Sequence, residues 1–319
     1  METKAMGENP AREDKAKKPQ IRKIRFHFDE SKSLADWLLL INDVDNAPLG
    51  AYTHKLITAD IKDPNLNFDE AQKILEKAQF KNKLLRMSDD VYLNPVQSSF
   101  NAIARAMVIL GFQSLRNIGI CLGIYNHMLE LCDDEPLKKE IVLSFHCAIL
   151  TTLIAQRKAK ILNSEPLMTA ALTFSLGQIM FQFFGGESAK LYNEALETHS
   201  IVDESKEQEI VGFSLKKLTL ELVKQWNLGA QAISVHEMVS PDNICYAVLL
   251  AREVTQNLRK GWQSTATLES MKKLKSFLNC TQDEVNHLIM HSLERVLEEV
   301  ALYGDPQLMH YIPLPVDEE

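Results

Sequence analysis

From about residue 34 to the carboxyl end, apolar positions recur every three or four residues, the period of amphipathic helices. Asn67 and Glu70 have the spacing of a capping box, and Ala71, Ile74, Leu75 and Ala78 behind them share one face, so a helix is predicted there. Asn94-Pro95 is a turn signal, after which Phe100, Ile103, Ala104 and Met107 make a second apolar face that Gly111 can end. A third helix follows to about Leu131. Asp133-Asp134-Glu135-Pro136 interrupts the pattern before Ile141, Phe145, Ile149 and Thr152 resume it. Ala170 to Phe184, closed by Gly185-Gly186, and Leu191 to Thr198 are the next predicted helices. Leu215, Leu218, Leu222 and Trp226 form an amphipathic helix ending near Gly229, and another spans Ile244 to Leu258. The last is the clearest: Thr281 and Glu284 form a capping box, Val285, Leu288, Ile289, Leu293, Val296, Leu297 and Val300 repeat behind it, and Gly304-Asp305-Pro306 stops it.

Against this background only Ile24, Phe26 and Phe28 alternate with polar residues as a strand would. Residues 1 to 20 offer almost nothing to bury and are expected to form a flexible tail. No self-similar period indicates a solenoid. The expected fold is all-α, a compact multi-helix bundle with two helical halves, preceded by a flexible basic tail.

Composition agrees: 12 Gly and 11 Pro in 319 residues are few for a strand-and-turn architecture, and 45% hydrophobic content is enough for a sizeable core. The net charge of −8 is uneven, because residues 1 to 25 carry eight Lys/Arg against four Asp/Glu, leaving +4 there and −12 on the remainder. Such a body should repel nucleic acid. The tail cations Lys15, Lys17, Lys18, Arg22, Lys23 and Arg25 read as a solvated segment. The five cysteines (Cys121, Cys132, Cys147, Cys245, Cys280) are widely spaced with no C-x-x-C pair, as for buried thiols in a reducing compartment. No uninterrupted run reaches the roughly 18 apolar residues of a membrane span, so no membrane insertion and a cytoplasmic location are expected.

Chemistry is hard to find by motif. Neither a phosphate-cradling glycine loop nor a G-x-S-x-G or H-E-x-x-H pattern occurs. His287 and His291 stand at i and i+4, a spacing that can share a metal, but a solvated helix face accounts for them. His146, between Phe145 and Cys147, and His236-Glu237 can serve as a ligand or general base, or as hydrogen-bonded core residues.

Five segments carry a resemblance. LNFDEAQKILEKAQFKNKLLRMSDDVYLNP from Leu66, followed by FNAIARAMVILGFQSLRNIGI, resembles the first half of an HDOD domain, with Ser88-Asp89 where that family usually has Asn-Ser. SFHCAILTTLIAQ (144 to 156), AALTFSLGQIMF (170 to 181) and EQEIVGFSLKKLTLELVKQWNLGAQAISVHE (207 to 237) are similar, in order, to the histidine-bearing helices of the HD phosphohydrolase superfamily. The resemblance covers about residues 48 to 262. Together with the flexible tail at 1–20, this divides the chain into an extension at 21–47, an HDOD domain at 48–262 and a helical part at 263–319 expected to pack on it.

HD-superfamily hydrolases hold a metal with a His, a His-Asp pair and a later Asp, which together activate water. The resemblance places His146 at the first position, Phe174 and Ser175 at the pair, and Arg252 at the last. Further histidines of the phosphodiesterase branch map near Leu215 and Val235, both apolar. Phenylalanine cannot coordinate, and a guanidinium repels a cation in a low-dielectric pocket. The expectation is therefore a degenerate metal site, with Phe174 filling the old cavity, no catalytic residue, no metal and no cofactor. The implied role is a bacterial signalling module that binds signalling proteins, with the groove between the halves and residues 1 to 47 as candidate contact regions. A second reading is a sensor of a cyclic dinucleotide or other nucleotide through His146, Arg252 and His236. It needs a buried Arg252, whereas the plainer reading puts Arg252 on the exposed side of its helix.

Overall fold

The computed structural model describes residues 33–43, 49–58, 102–158, 164–199, 202–237 and 243–315, together with residues 75, 82–84 and 86. The predicted strand at Ile24 to Phe28, the tail, the Asn67 capping box and the Asn94-Pro95 turn lie outside them. Among the described residues every regular element is helical.

The first element is α1 (Leu34–Ile41), opened by a capping box in which Ser33 and Asp36 satisfy each other's backbone N–H groups. Next come α2 (Gly50–Thr58) and α3 (Ala102–Leu131), which is interrupted at Gly111. Gly111 has φ 77° and ψ 153°, a backbone open essentially to glycine alone, so the two predicted helices around it are two straight pieces meeting at a kink.

Asp134 caps α4 (Glu135–Arg157), its carboxylate accepting from the Leu137 N–H at 2.9 Å, and Pro136 sits in the first turn, where its missing N–H costs nothing. From Ile141 to Ala155 α4 is buried on every side, which makes it the axis of the bundle. Around it pack α5 (Ser164–Leu172), α6 (Leu176–Phe184), α11 (Asn243–Leu258), α13 (Gln282–Ala301) and a 3-10 turn at Pro306–Tyr311. The remaining elements are α7 (Gly186–His199), α8 (Glu204–Val211), α9 (Leu215–Gln225), α10 (Ala230–Glu237) and α12 (Thr265–Leu278). The capping box expected at Thr281 and Glu284 is present.

The pattern misjudged one element that bears on function. Ala170 to Phe184 reads as a single helix, but a 3-10 turn at Thr173–Ser175 divides it into α5 and α6. The Thr173 hydroxyl donates to the carbonyls of Thr169 and Ala170 at 3.0 and 3.1 Å, competing with the helical ladder just where the turn begins. Past the turn, α6 meets α9 closely: a Cβ on Gly177 would stand 2.2 Å from the Leu215 carbonyl oxygen, and the Gly177 N–H donates to Thr219 Oγ1 at 2.9 Å. The window Leu167–Phe184 is long and apolar enough to cross a membrane, yet 83% of it is buried inside the protein, as in a core helix.

A single cation joins the early helices to the later ones. Arg116, 2% exposed on α3, donates from Nε to the Leu56 carbonyl at 2.7 Å and from Nη2 to Ile57 at 2.9 Å, at the end of α2. Nη1 and Nη2 each donate to the Trp226 carbonyl at 3.2 Å, at the end of α9. Two helix C-termini, each with carbonyls lacking an intrahelical partner, thus share one guanidinium.

Candidate functional site

The Thr173–Ser175 turn faces α10 and α11, and this meeting brings together most of the residues singled out in the sequence. Arg252 on α11 is 7% exposed, so the reading that placed it on an exposed face is corrected. Its burial follows from α11 packing into the axis helix α4 along the face that carries Val248, Ala251 and Thr255, each completely buried. Arg252 Nη1 donates to Ser175 Oγ, and its guanidinium carbon lies 5.1 Å from the centroid of the Phe174 ring. With the Gln256 amide turned to present its oxygen, that oxygen accepts from Arg252 Nε at 3.1 Å and Nη2 at 2.9 Å. Glu140 on α4 supplies the counter-charge: its Oε2 is 3.9 Å from Arg252 Nη2, while Oε1 accepts from Arg259 at 3.1 Å.

His236 on α10 belongs to the same cluster. Its Nε2 is 3.0 Å from Thr173 Oγ1, and its ring centroid is 5.6 Å from that of Phe174. Because the Thr173 proton points to the backbone carbonyls, the hydroxyl oxygen is left to accept from His236 Nε2–H. Burial, with Lys216 and Arg252 adding like charge, holds the imidazole pKa down at about 4, so the ring is neutral near pH 7. The neighbouring Glu237 is exposed and pairs with Lys224 at 2.7 Å.

His146 stands apart from this cluster. It is 2% exposed, and its Nε2 lies 3.0 Å from Ser292 Oγ on α13, whose own proton goes to the Ile289 carbonyl at 2.6 Å. Burial alone depresses its pKa to about 3. The ring borders a small crevice between α4, α11, α13 and the carboxyl-terminal 3-10 turn, together with Lys139, Arg259 and Tyr311. On α4 it is Glu140 whose charge acts on Arg252. His287 and His291 are exposed on α13, and Leu215 and Val235 are buried apolar residues.

A divalent ion does not fit the residues at Phe174, Ser175 and Arg252. A ring face, a hydroxyl already accepting from a guanidinium, and that guanidinium itself leave no anionic donor set. Among the described residues no group of three or more His, Cys, Asp or Glu is placed to hold a metal. Glu140, Gln256, Thr173 and Ser292 were not singled out from the sequence. Only Glu140 left a signal there, as a carboxylate entering the long apolar run of α4.

Among curated proteins no sequence matches the chain. Three solved structures are similar to it. One is an HDOD domain protein of unknown function from Geobacter sulfurreducens, 19% identical with TM-score 0.50, covering 81% of this chain and 91% of that one. A second, from Shewanella amazonensis SB2B, bears a name that proposes a phosphohydrolase; it is 14% identical with TM-score 0.56, over 83% of this chain and 97% of that one. The third, from Marinobacter aquaeolei VT8, has a name that proposes signal transduction, at 14% identity and TM-score 0.43, over 87% of this chain and 69% of that one. At these identities the likeness to the first two is one of fold. The family model of the HDOD domain matches residues 48–239, more than half of the chain.

Proposed function

The chain belongs to the HDOD domain family, and on that premise we propose that it is a non-catalytic regulatory module acting through protein contact in a bacterial signalling pathway. The observation that supports this most is the way Arg252 occupies the centre. A permanent cation, held by Ser175 and Gln256 and balanced by Glu140, stands among the positions where the resemblance to HD hydrolases expects metal ligands. Hydrolysis by a metal-bound water requires anionic or imidazole donors converging on one point. Here His236 is committed to Thr173 and His146 to Ser292, each as a neutral ring.

A second reading, a nucleotide sensor using His146, Arg252 and His236, draws on the burial of Arg252 beside His236. Against it, the guanidinium donors that would grip a phosphate are already engaged by Ser175 and Gln256. His146 points to another helix.

Elemental analysis of the purified protein, followed by calorimetric titration with Mn²⁺ and with cyclic dinucleotides, tests these readings together. The expected outcome is substoichiometric metal and no saturable heat with either ligand. Tightly bound stoichiometric metal would overturn the non-catalytic assignment, and micromolar dinucleotide binding would replace the protein-contact reading with the sensor.

A further inference from the structure

Helix α1 lies before the residues matched by the HDOD family model, whereas the surface it covers lies inside them. Trp37, 4% exposed, is its anchor. The indole sits 5.6 Å from the Phe181 ring on α6 and 5.9 Å, edge-on, from Phe213 ahead of α9, and Tyr192 on α7 continues the aromatic row behind Phe181 at 5.6 Å. One turn on, Ile41 is fully buried. The next residue, Asn42, closes the contact with polar pairs: its Oδ1 accepts from Trp226 Nε1 at 2.7 Å, and its Nδ2 donates to Gln225 Oε1 at 2.9 Å and to the Leu38 carbonyl at 2.7 Å.

The opposite face of α1 is not polar. It carries Leu39, 72% exposed, whereas Leu34, Leu38 and Leu40 are half-buried and pack against the core. A helix of eight residues is too short to persist in water by itself, so α1 is folded because it is docked. Its attachment combines one aromatic, one aliphatic and one amide side chain, at i, i+4 and i+5, with the half-buried Leu34, Leu38 and Leu40 packed against the same core. This is the footprint of a helix held in a groove, in which a few anchors carry recognition.

We propose that the groove between α6 and α9 is a recognition site for a short amphipathic helix of a partner protein. That helix carries the pattern Trp-x-x-x-aliphatic-Asn, and α1 is the resident occupant it must displace. The groove's chemistry sets the pattern: Phe181 and Phe213 take the aromatic, and Gln225 with the Trp226 indole N–H reads a side-chain amide that can both donate and accept. This rests on the protein-contact reading above and names its site and ligand class. Occupancy in cis makes α1 an intramolecular competitor, so a partner's apparent affinity falls by the fraction of chains with α1 undocked.

The probe is a fluorescein-labelled peptide of residues 32–43, followed by anisotropy against the full-length chain and its Trp37→Ala variant. The expected result is saturable micromolar binding to the variant, at least tenfold weaker binding to the wild type, and loss of binding when the peptide itself carries Trp37→Ala. Equal binding to both chains, or none to a folded variant, overturns the proposal. Where Trp37→Ala impairs folding, Asn42→Ala removes only the amide bonds and is expected to tighten peptide binding severalfold. Hydrogen exchange on the wild type gives an independent reading: α1 amides should exchange faster than those of α9, and equal protection counts against displacement. A wild-type dimer that the peptide converts to monomer would assign the groove to α1 of a second copy and overturn the partner assignment. Peptide binding does not depend on metal or nucleotide, so failure here and failure of the regulatory reading are distinguishable.

Discussion

Arg252 and Glu140 form a pair whose members are tolerable only together. Burial pushes the guanidinium pKa downward and Glu140 pulls it back. Replacing Arg252 with Met keeps much of the volume but strands Glu140, whose Oε2 is buried without a hydrogen bond, leaving Arg259 as its counter-charge. The expected cost is about 3–5 kcal/mol in chemical denaturation, and Glu140→Gln in the same chain should recover part of it. Arg252→Lys should recover little, since an ammonium cannot reach Ser175 and Gln256 at once. A second buried acid behaves differently. Glu299 on α13 is 2% exposed, and burial raises its pKa to about 8, against the pull of Lys83, Arg86 and Arg295. Between pH 4.5 and 8 the folded state therefore holds a proton that the unfolded chain has released, and stability falls as pH rises through that window. The buried histidines act from the other side: their depressed values make the unfolded chain the better proton acceptor below pH 6.5, so stability also falls as pH drops toward 4. Urea midpoints measured from pH 4 to 9 should show both limbs, and Glu299→Gln should flatten only the alkaline one. His146, His236, Phe174, Ser175 and Arg252 could all be named from the sequence through the resemblance. That four of them share one cluster while His146 turns to α13 could not, because which side of α4 faces α11 is decided by tertiary packing.

At the scale of elements, the helical period marked where helices lie but not how closely they approach. The α6–α9 contact depends on a missing side chain. Gly177→Ala would drive a methyl group to 2.2 Å from the Leu215 carbonyl oxygen and 2.7 Å from Thr219 Oγ1, so the helices must separate or α6 must unwind. The expected destabilisation is about 3 kcal/mol or more, read by thermal melting, whereas Gly111→Ala meets no atom within 4 Å and should cost only its backbone strain, about 1–3 kcal/mol. Capping chemistry was the most legible signal: the Thr281 box stands where the sequence placed it, and the break at Asp133 to Pro136 proves to contain the Asp134 cap of α4. Apolar spacing was less so, since α12 packs only part of its surface and its Lys-rich run hides the period, and α9 stops at Gln225 because Asn227 turns left-handed at φ 49°, the Leu228 N–H closing the end on the Val223 carbonyl at 3.0 Å.

On the scale of the molecule, the all-α bundle was readable from period, caps and the scarcity of glycine and proline. The Arg116 joint between its early and late helices was not, because hydrogen bonds from one side chain to backbone carbonyls leave no trace in hydrophobic spacing. Arg116 lies in the SLRNIGI segment that carried the family resemblance, yet nothing in that segment says which carbonyls it will reach. Those carbonyls belong to residues 56, 57 and 226, separated from it by 59 to 110 positions along the chain. A buried cation whose partners come from both ends of the fold loses its solvation unless both are in place, and burial already lowers its pKa to about 10. Early and late helices therefore cannot be released one at a time without stranding that charge. Scanning calorimetry should find a single endotherm with equal calorimetric and van't Hoff enthalpies, and Arg116→Met should split or broaden it. The guanidinium thus acts as a cooperativity element, making a chain that could have melted in stages do so in one step.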